Sequence, residues 1–331
     1  MGKHAPSARY ARPSEAGELN EFARRLFIDT YAHQNEAANM AAYIDEHFDG
    51  SAIAANIVSR AHGVIVLVDG AKFAGYAIVA ASRNDSAELE LEIQRFYVDG
   101  SWRGKGAASI LMHAVIEHAR AVDATAVVLG VYKENPRAIR YYEKSGFRIV
   151  GEHVFQLGDD PQEDWIMRRD GPELAPLTDD EFVERFLACR WPPAAWTHRA
   201  HVRLAWTLLE QRAFPDAMQT VRSGILRYNT NVLEKASAYH ETVTQGFVWL
   251  VAAARRDSES FVEFVGRAAD LLATDPLLLN RFYSNELLNS ERARRDFVPP
   301  DRESLPIVAG LPNLATLAGR PGDYVHGQSN Q

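Results

Sequence analysis

The residues with the clearest chemical potential form a short glycine-rich segment, Arg103-Gly-Lys-Gly-Ala-Ala108, between a strand-like run and a helix-like run. Such a junction points several backbone N–H groups at one place, and its small residues let an anion such as a pyrophosphate approach closely. The candidate anion-binding residues are Arg103, Gly104, Lys105, Gly106, Ala107 and Ala108. Because glycine is also common in plain turns and caps, a purely structural role stays open.

The spacing of this turn differs from that of two other phosphate loops. A dinucleotide fold requires G-x-G-x-x-G and a P-loop requires G-x-x-x-x-G-K-[ST], and the segment has neither. Downstream lies Asn135-Pro-Arg-Ala-Ile-Arg-Tyr-Tyr-Glu-Lys-Ser-Gly-Phe147. In the same order, the two segments resemble the R/Q-x-x-G-x-G/A and N-x-x-A-x-x-x-Y-x-x-x-G-F motifs of the GCN5-related N-acetyltransferases (GNAT). The resemblance covers about residues 8–169.

The resemblance implies an α/β (α+β) GNAT fold with a mixed central sheet and an acetyl-CoA-dependent N-acetyltransferase activity. It implies that the turn holds the coenzyme A pyrophosphate and that the strand end at Phe96 and Val98 binds the pantetheine arm. Tyr142 matches the tyrosine that protonates the coenzyme A sulfur, and Asn135 matches the asparagine that contacts the cofactor or the catalytic water. The alternative for Tyr142 is a structural role as an aromatic side chain packed on its helix. The adjacent Tyr141 is a second candidate for the proton donor.

A candidate for the general base is Glu92, six residues before Val98 on the same predicted strand, where several members of the family carry a glutamate. A carboxylate base that works near neutral pH requires burial or a carboxylate neighbour, and Glu88 and Glu90 alternate onto the same side. Two alternatives stay open. In the first, the three glutamates form the solvated face of an edge strand and have no catalytic role. In the second, a chain of water molecules takes up the proton and no side chain acts as the base.

Periodicity predicts where these residues sit. Alternating β-rich runs cover residues 63–70, 74–81, 87–98 and 126–131, and helical spacing covers residues 106–122 and 136–145. Two prolines and a glycine interrupt the β pattern at residues 169–176 and predict a domain boundary there. Beyond this boundary the pattern is helical throughout. We therefore expect a GNAT domain at 1–170, an all-helical domain at 171–310 and a loosely ordered tail at 311–331.

The helical half offers one further site hypothesis. His198 and His201 are three residues apart on a predicted helix, and His240 with Glu241 begins another, so the four side chains form a candidate divalent metal site. The alternative is that they are polar groups at two helix starts. This half resembles no characterised family.

Composition narrows the classes of function. The net charge is −8, with 19 Lys and Arg against 24 Asp and Glu in residues 1–170 and 17 against 20 in the remainder, so neither half favours nucleic acid binding. No apolar run is long enough to span a membrane, the N-terminus lacks a secretory pattern, and Cys189 is the single cysteine, which together favour the cytoplasm.

The sequence thus predicts acetyl transfer to a primary amine of a small molecule or peptide. The segments Phe27–Asn35 and Ala41–Phe48 resemble the polyamine-acetylating branch. Two alternatives remain: an acyl-CoA-binding sensor or scaffold, and a bifunctional protein whose helical half is a metal-dependent enzyme. The amine acceptor, the role of the helical half and homodimerisation stay open.

Overall fold

The computed structural model of the protein describes residues 5–33, 35–82, 88–157, 160–274 and 278–311. The chain separates into two compact units, one of Met1–Thr178 with Arg190–Ala195 and one of Asp179–Cys189 with Trp196–Gln331. Apart from Leu311, the predicted tail falls outside the described residues. Within the described ranges, no helix is long and apolar enough to cross a membrane.

The first unit contains a mixed sheet, as the sequence predicts. Within the described residues it has seven strands, in the spatial order β1-β2-β3-β4-β5-β7-β6. Only β4 and β5 run parallel, and the other neighbours are antiparallel. The alternative that placed the three glutamates on an edge strand is wrong, because β4 lies fourth among the seven. The bounds are β1 Ser7–Tyr10, β2 His62–Asp69, β3 Lys72–Ala81, β4 Glu90–Val98, β5 Ala126–Tyr132, β6 Arg148–Leu157 and β7 Asp160–Asp170.

Helices pack on both faces of this sheet. One face lies under α1 (Ala16–Tyr31), α2 (Ala37–His47) and α3 (Ser51–Val58), and we call it the α1 face. The other lies under α4 (Ala107–Ala121) and α5 (Pro136–Lys144), and we call it the α4 face. The alternation of β2 feeds both cores, since Val64 and Val66 point to the α1 face and Ile65 and Leu67 to the α4 face. The expected elements did not include α3.

A bulge changes which residues of β4 face each core. Ile93 pairs with Val79 and Arg95 pairs with Ile78, so the ladder between β3 and β4 shifts by one residue. Before the bulge Leu91 and Ile93 belong to the α4-face core, and after it Phe96 and Val98 pack there. The bulge therefore turns the two predicted cofactor-binding residues toward α4 and α5, where strict alternation would not place them.

The second unit is helical, as the sequence predicts. Its core includes a row of stacked rings, with Phe186 centred 4.3 Å from Trp196 and 5.1 Å from Tyr228. Because all three rings are buried, they fill the space between two helices and the segment that contains Trp196. The helices are α6 Asp179–Leu187, α7 His198–Gln211, α8 Phe214–Asn231, α9 Glu241–Ala254, α10 Phe261–Arg267, α11 Asn285–Leu288 and α12 Glu291–Arg295.

A buried histidine joins α4 to the first strand. His118 is 3% exposed, and its Nδ1 lies 3.0 Å from the Tyr10 hydroxyl in a hydrogen bond. Burial lowers the pKa of His118 to about 4, because the charged imidazolium would lose its hydration in the core. The folded first unit therefore holds His118 neutral over a pH range in which the unfolded chain binds a proton.

We predict that acid destabilises the first unit through this residue. Between the unfolded pKa near 6.5 and the folded pKa near 4, unfolding takes up a proton, so the free energy of unfolding falls as the pH drops, by on the order of 2 kcal/mol at pH 5. Chemical denaturation at pH 7 and pH 5 measures this loss. His118→Gln should reduce it, while His113→Gln, an exposed position on the same helix, should keep it; equal losses in all three proteins would refute the assignment.

Candidate functional site

The candidate site begins where the parallel pair of strands comes apart. The ladder between β4 and β5 joins Glu90–Ile93 to Ala126–Leu129 and ends there, although β4 continues to Val98 and β5 to Tyr132. Beyond this point β4 stays paired with β3 and β5 stays paired with β7. The strand ends therefore leave a split in the sheet, with backbone groups of both strands on its walls.

The predicted anion-binding turn follows directly after β4. Gly104 and Gly106 have φ angles of +72° and +79°, in the left-handed region that glycine adopts without strain. Gly106 is the N-cap of α4 and carries no capping side chain, so the first N–H groups of the helix, from Ala107 onward, have no partner within the helix. Side chains added at either glycine would meet nothing within 4 Å, so the turn is open on that side.

This geometry suits an anion. Uncapped N–H groups at the positive end of a 15-residue helix attract negative charge, and the helix begins with the small residues Ala107 and Ala108. Arg103 and Lys105 are exposed beside the turn, and the Lys105 ammonium donates to the Ser101 carbonyl at 2.6 Å. The six residues predicted from the sequence thus form the turn and the first two residues of α4.

An ion pair fixes the start of this loop. Asp99 follows β4 and accepts hydrogen bonds from the Ser101 N–H at 2.9 Å and from the Arg25 guanidinium of α1 at 2.9 Å. The Ser101 contacts lower the pKa of the Asp99 carboxyl, with a smaller contribution from Arg25. The strand end and the turn are therefore tied to α1.

Aromatic side chains line the α4 face of the split. Phe96 lies 6.2 Å from Tyr142 in an edge-to-face arrangement and 5.9 Å from Tyr141 in a stacked one, measured between ring centres. Tyr142 is buried, and burial raises the pKa of its hydroxyl, so it holds its proton at neutral pH. The Tyr141 hydroxyl is also buried and has no hydrogen-bond partner among the described residues.

Asn135 performs a structural task next to these rings. Its side-chain oxygen accepts a hydrogen bond from the Ala138 N–H at 3.1 Å and so caps α5, the helix that carries Tyr142. Because that oxygen is engaged, the amide NH₂ is the group left for any further contact. The cap positions Tyr142 through the first turn of its helix.

Glu92 lies on the α1 face of β4 and is half-buried. Its expected carboxylate neighbours do not surround it. Glu90 is buried in an ion pair with Arg168, which also bonds Asp170 at 2.9 Å, and Glu88 is exposed. The three glutamates therefore do not form a row of like charges around Glu92, because the strand pairing places an arginine of β7 beside Glu90.

A pair of side chains that the sequence analysis missed lies on the α1 face at the split. His153 on β6 and Asp164 on β7 are directly opposite in the ladder. A methyl group at Gly130 of β5 would lie 2.9 Å from His153 Cε1 and 3.3 Å from Asp164 Oδ2. Burial raises the pKa of the Asp164 carboxyl, and His153 partly offsets this. Spacing alone carries no signal for this pair, because only the register of three strands brings it together.

The four predicted metal ligands of the second unit are not brought together, and this prediction is corrected. Among the described side chains, no group of three or more His, Cys, Asp or Glu residues is arranged to hold a metal ion. His198 donates to the Leu271 carbonyl at 2.8 Å, and His201 donates to the Thr197 carbonyl at 2.7 Å.

The second pair of predicted ligands is engaged in the same way. His240 donates from Nε2 to the Leu288 carbonyl at 2.8 Å and caps α9 through Nδ1. Glu241 pairs with Arg222 and accepts from the Tyr239 hydroxyl at 2.5 Å. The four side chains satisfy backbone and buried polar groups near helix ends, which is the alternative that the sequence left open.

Comparison with known proteins covers the part of the chain that carries this site. The model of the acetyltransferase (GNAT) family matches residues 19–147. An uncharacterized N-acetyltransferase of Mycobacterium tuberculosis is 30% identical over 157 residues, which are 47% of this chain and 98% of the relative. The spermine/spermidine N(1)-acetyltransferase of Bacillus subtilis is 30% identical over 84 residues, which are 25% of this chain and 55% of the relative.

The PaiA N-acetyltransferase from Thermoplasma acidophilum in complex with coenzyme A has a TM-score of 0.43 and 17% sequence identity. The match between the two structures covers 51% of this chain and 100% of the PaiA chain.

Proposed function

Because this chain belongs to the acetyltransferase (GNAT) family, we propose that it transfers the acetyl group of acetyl-CoA to a primary amine of a small molecule or peptide. The observation that carries the proposal is the split between β4 and β5, which opens beside the uncapped N-terminus of α4. One feature offers backbone groups to an extended arm, and the other offers N–H groups to its pyrophosphate.

The residues present fit this cosubstrate. Gly104 and Gly106 leave the turn open, and Gly106 provides no side chain that competes for the N–H groups of α4. In our proposal Arg103, Lys105, Ala107 and Ala108 complete the diphosphate site. Phe96 and Val98 of β4 then hold the pantetheine arm through their backbone.

Acetyl-CoA supplies a thioester-bound acetyl group that a neutral amine attacks. Tyr142 holds its proton in a buried site on the α4 face, and we assign it the protonation of the departing sulfur. Asn135 keeps α5 in place, and its free amide NH₂ is available to the cofactor or to a water molecule. Glu92 lies on the α1 face, where the amine would enter, as a candidate proton acceptor.

The charge of this chain and the name of one relative support a class of acetyl acceptor. The chain has a net charge of −8 and presents Glu92 and Asp164 on the α1 face, which favours a cationic amine. The B. subtilis relative is named for spermine and spermidine, and this supports a small polyamine as one acceptor class. In the same proposal, residues 1–170 form the acetyltransferase domain and residues 171–310 form a separate all-helical domain of unknown role.

We predict turnover with at least one amine class. Free thiol release from acetyl-CoA is followed with polyamines, aminoglycosides, amino acids and peptides as acceptors, and product masses identify the acetylated amine. Because direct transfer needs the acceptor, thiol release should rise with amine concentration and saturate. Binding of acetyl-CoA by calorimetry without turnover on any acceptor would refute the proposed function and favour an acyl-CoA sensor.

Tyr142→Phe should lower kcat by a factor of about 100 or more, because it removes the proton donor to the sulfur. The dissociation constant for coenzyme A should stay within a few-fold of wild type. Tyr141→Phe is the matched control, since it removes a neighbouring hydroxyl that has no partner among the described residues. Equal kcat values for the two variants would remove Tyr142 from the mechanism.

Gly106→Ala should weaken coenzyme A binding roughly tenfold, since a left-handed backbone costs a non-glycine residue about 1–2 kcal/mol and relaxation turns the N–H groups away. Calorimetry with coenzyme A measures the change. Gly70→Ala places the same strain in the turn between β2 and β3, at a φ of +61°. It should lose similar stability and keep its affinity, and a parallel loss of affinity in both variants would contradict the assigned diphosphate site.

A further inference from the structure

His153 and Asp164 lie on the α1 face beside the split, and the proposed reaction has so far given neither of them a role. Leu129 is the last residue of β5 that pairs with β4, and Gly130 is the first beyond the ladder. Leu129 and Val131 belong to the α4-face core, so Gly130 faces the other side of the sheet. The His153 ring lies directly over Gly130. The imidazole is therefore on the wall of the split, on the face opposite Tyr142.

The position of this ring depends on the missing side chain at Gly130. Any Cβ there would come within 2.9 Å of the ring, which is closer than two carbon atoms approach each other without displacement. Asp164 faces His153 directly across the ladder between β6 and β7, and its Oδ2 would lie 3.3 Å from the same added Cβ. The arrangement is a carboxylate beside an imidazole, with the imidazole exposed to solvent.

We propose that His153 takes the proton from the acceptor ammonium and that Asp164 orients the imidazole and stabilises its charged form. The proposal rests on the proposed function. The N–H bond of the ammonium breaks, its electron pair stays on the nitrogen, and the proton moves to the unprotonated ring nitrogen of His153. The neutral amine then attacks the acetyl carbon, and the imidazolium returns its proton to solvent.

Chemistry favours an imidazole over Glu92 for this step. An imidazole ordinarily titrates near pH 6.5 and needs no unusual environment to accept a proton near neutral pH, whereas a carboxylate needs burial or like-charge neighbours. For Glu92 those neighbours are missing, since Glu90 is paired with Arg168 and Glu88 is exposed. The burial of Asp164 keeps its charge poorly hydrated, so a cation beside it is stabilised.

Several titratable groups surround the pair. Tyr132 at the end of β5 pairs with Asp164 in the ladder between β5 and β7. Tyr31 of α1 lies close enough to Asp164 that the charge of the carboxylate helps to raise the pKa of the Tyr31 hydroxyl. Tyr43 of α2 packs against Phe155, two residues along β6. Burial raises the pKa of both Tyr31 and Tyr43, so both hydroxyls stay neutral near neutral pH. The Lys133 ammonium pairs with both Glu152 and Glu163 on the opposite face of β6 and β7.

The test is the pH dependence of kcat/KM, from pH 6 to 10, for wild type, His153→Gln, Asp164→Asn and Glu92→Gln with an amine that wild type acetylates. His153→Gln should lower kcat/KM about 100-fold at pH 7. Its deficit should shrink toward pH 10, where the free amine loses its proton without help. Asp164→Asn should show a smaller deficit of the same form. A purely structural loss would not recover with pH.

A second variant tests the geometry without touching either titratable group. Gly130→Ala should push the His153 ring aside and lower kcat, with an unfolding free energy close to that of wild type, because an exposed side chain can move. Gly151→Ala on β6 is the matched control, since its methyl group would lie 3.7 Å from the Ile166 Cδ1 atom, an ordinary contact. We expect Gly151→Ala to keep the wild-type kcat.

The outcomes separate the two proposals. If wild type acetylates an amine and His153→Gln keeps the wild-type profile, the assignment of His153 is wrong and the proposed function stands. If Glu92→Gln alone removes the acid limb, Glu92 is the proton acceptor. If wild type binds acetyl-CoA but acetylates no amine, the proposed function fails, and the role of His153 fails with it.

Discussion

The early end of the ladder between β4 and β5 is the constraint on which the rest of the site depends. Two parallel strands that stay paired offer no free backbone groups, because each N–H and carbonyl is used by its neighbour. Here four residues of each strand are paired, and both strands then continue with only their outer neighbours. The split that results gives the sheet an opening through its middle, with the turn before α4 at one side.

This opening gives the two faces of the sheet different tasks. On the α4 face, the bulge in β4 turns Phe96 and Val98 inward beside Tyr142, in an apolar setting that keeps the tyrosine protonated. On the α1 face, Glu92, His153 and Asp164 form a polar surface next to the same opening. In the proposed reaction, the candidate proton donor and the candidate proton acceptors therefore lie on opposite faces of the sheet.

In the helical unit, polar residues at the starts of helices have the residue types and the spacing of metal ligands, although they serve other contacts. Thr197 and His240 cap α7 and α9, and the neighbouring histidines donate to backbone carbonyls. Glu241 is buried but compensated by Arg222, Tyr239 and Gln245. A buried carboxylate with this many donors is stable without a metal ion, and residue type and spacing alone do not separate the two cases.

The sequence by itself determined the features that depend on neighbouring residues. The glycine turn, the strands and helices around it and the helix that carries Tyr142 follow from local patterns, since backbone preference and periodicity act within a few positions. The mixed sheet was implied by the family resemblance. Only the tertiary structure decided which distant residues meet. The ion pair of Glu90 with Arg168, the bulge that reorients Phe96, and the placement of His153 and Asp164 over Gly130 depend on strand order and register. A pairing between strands far apart in the chain leaves no trace in the spacing along any one of them.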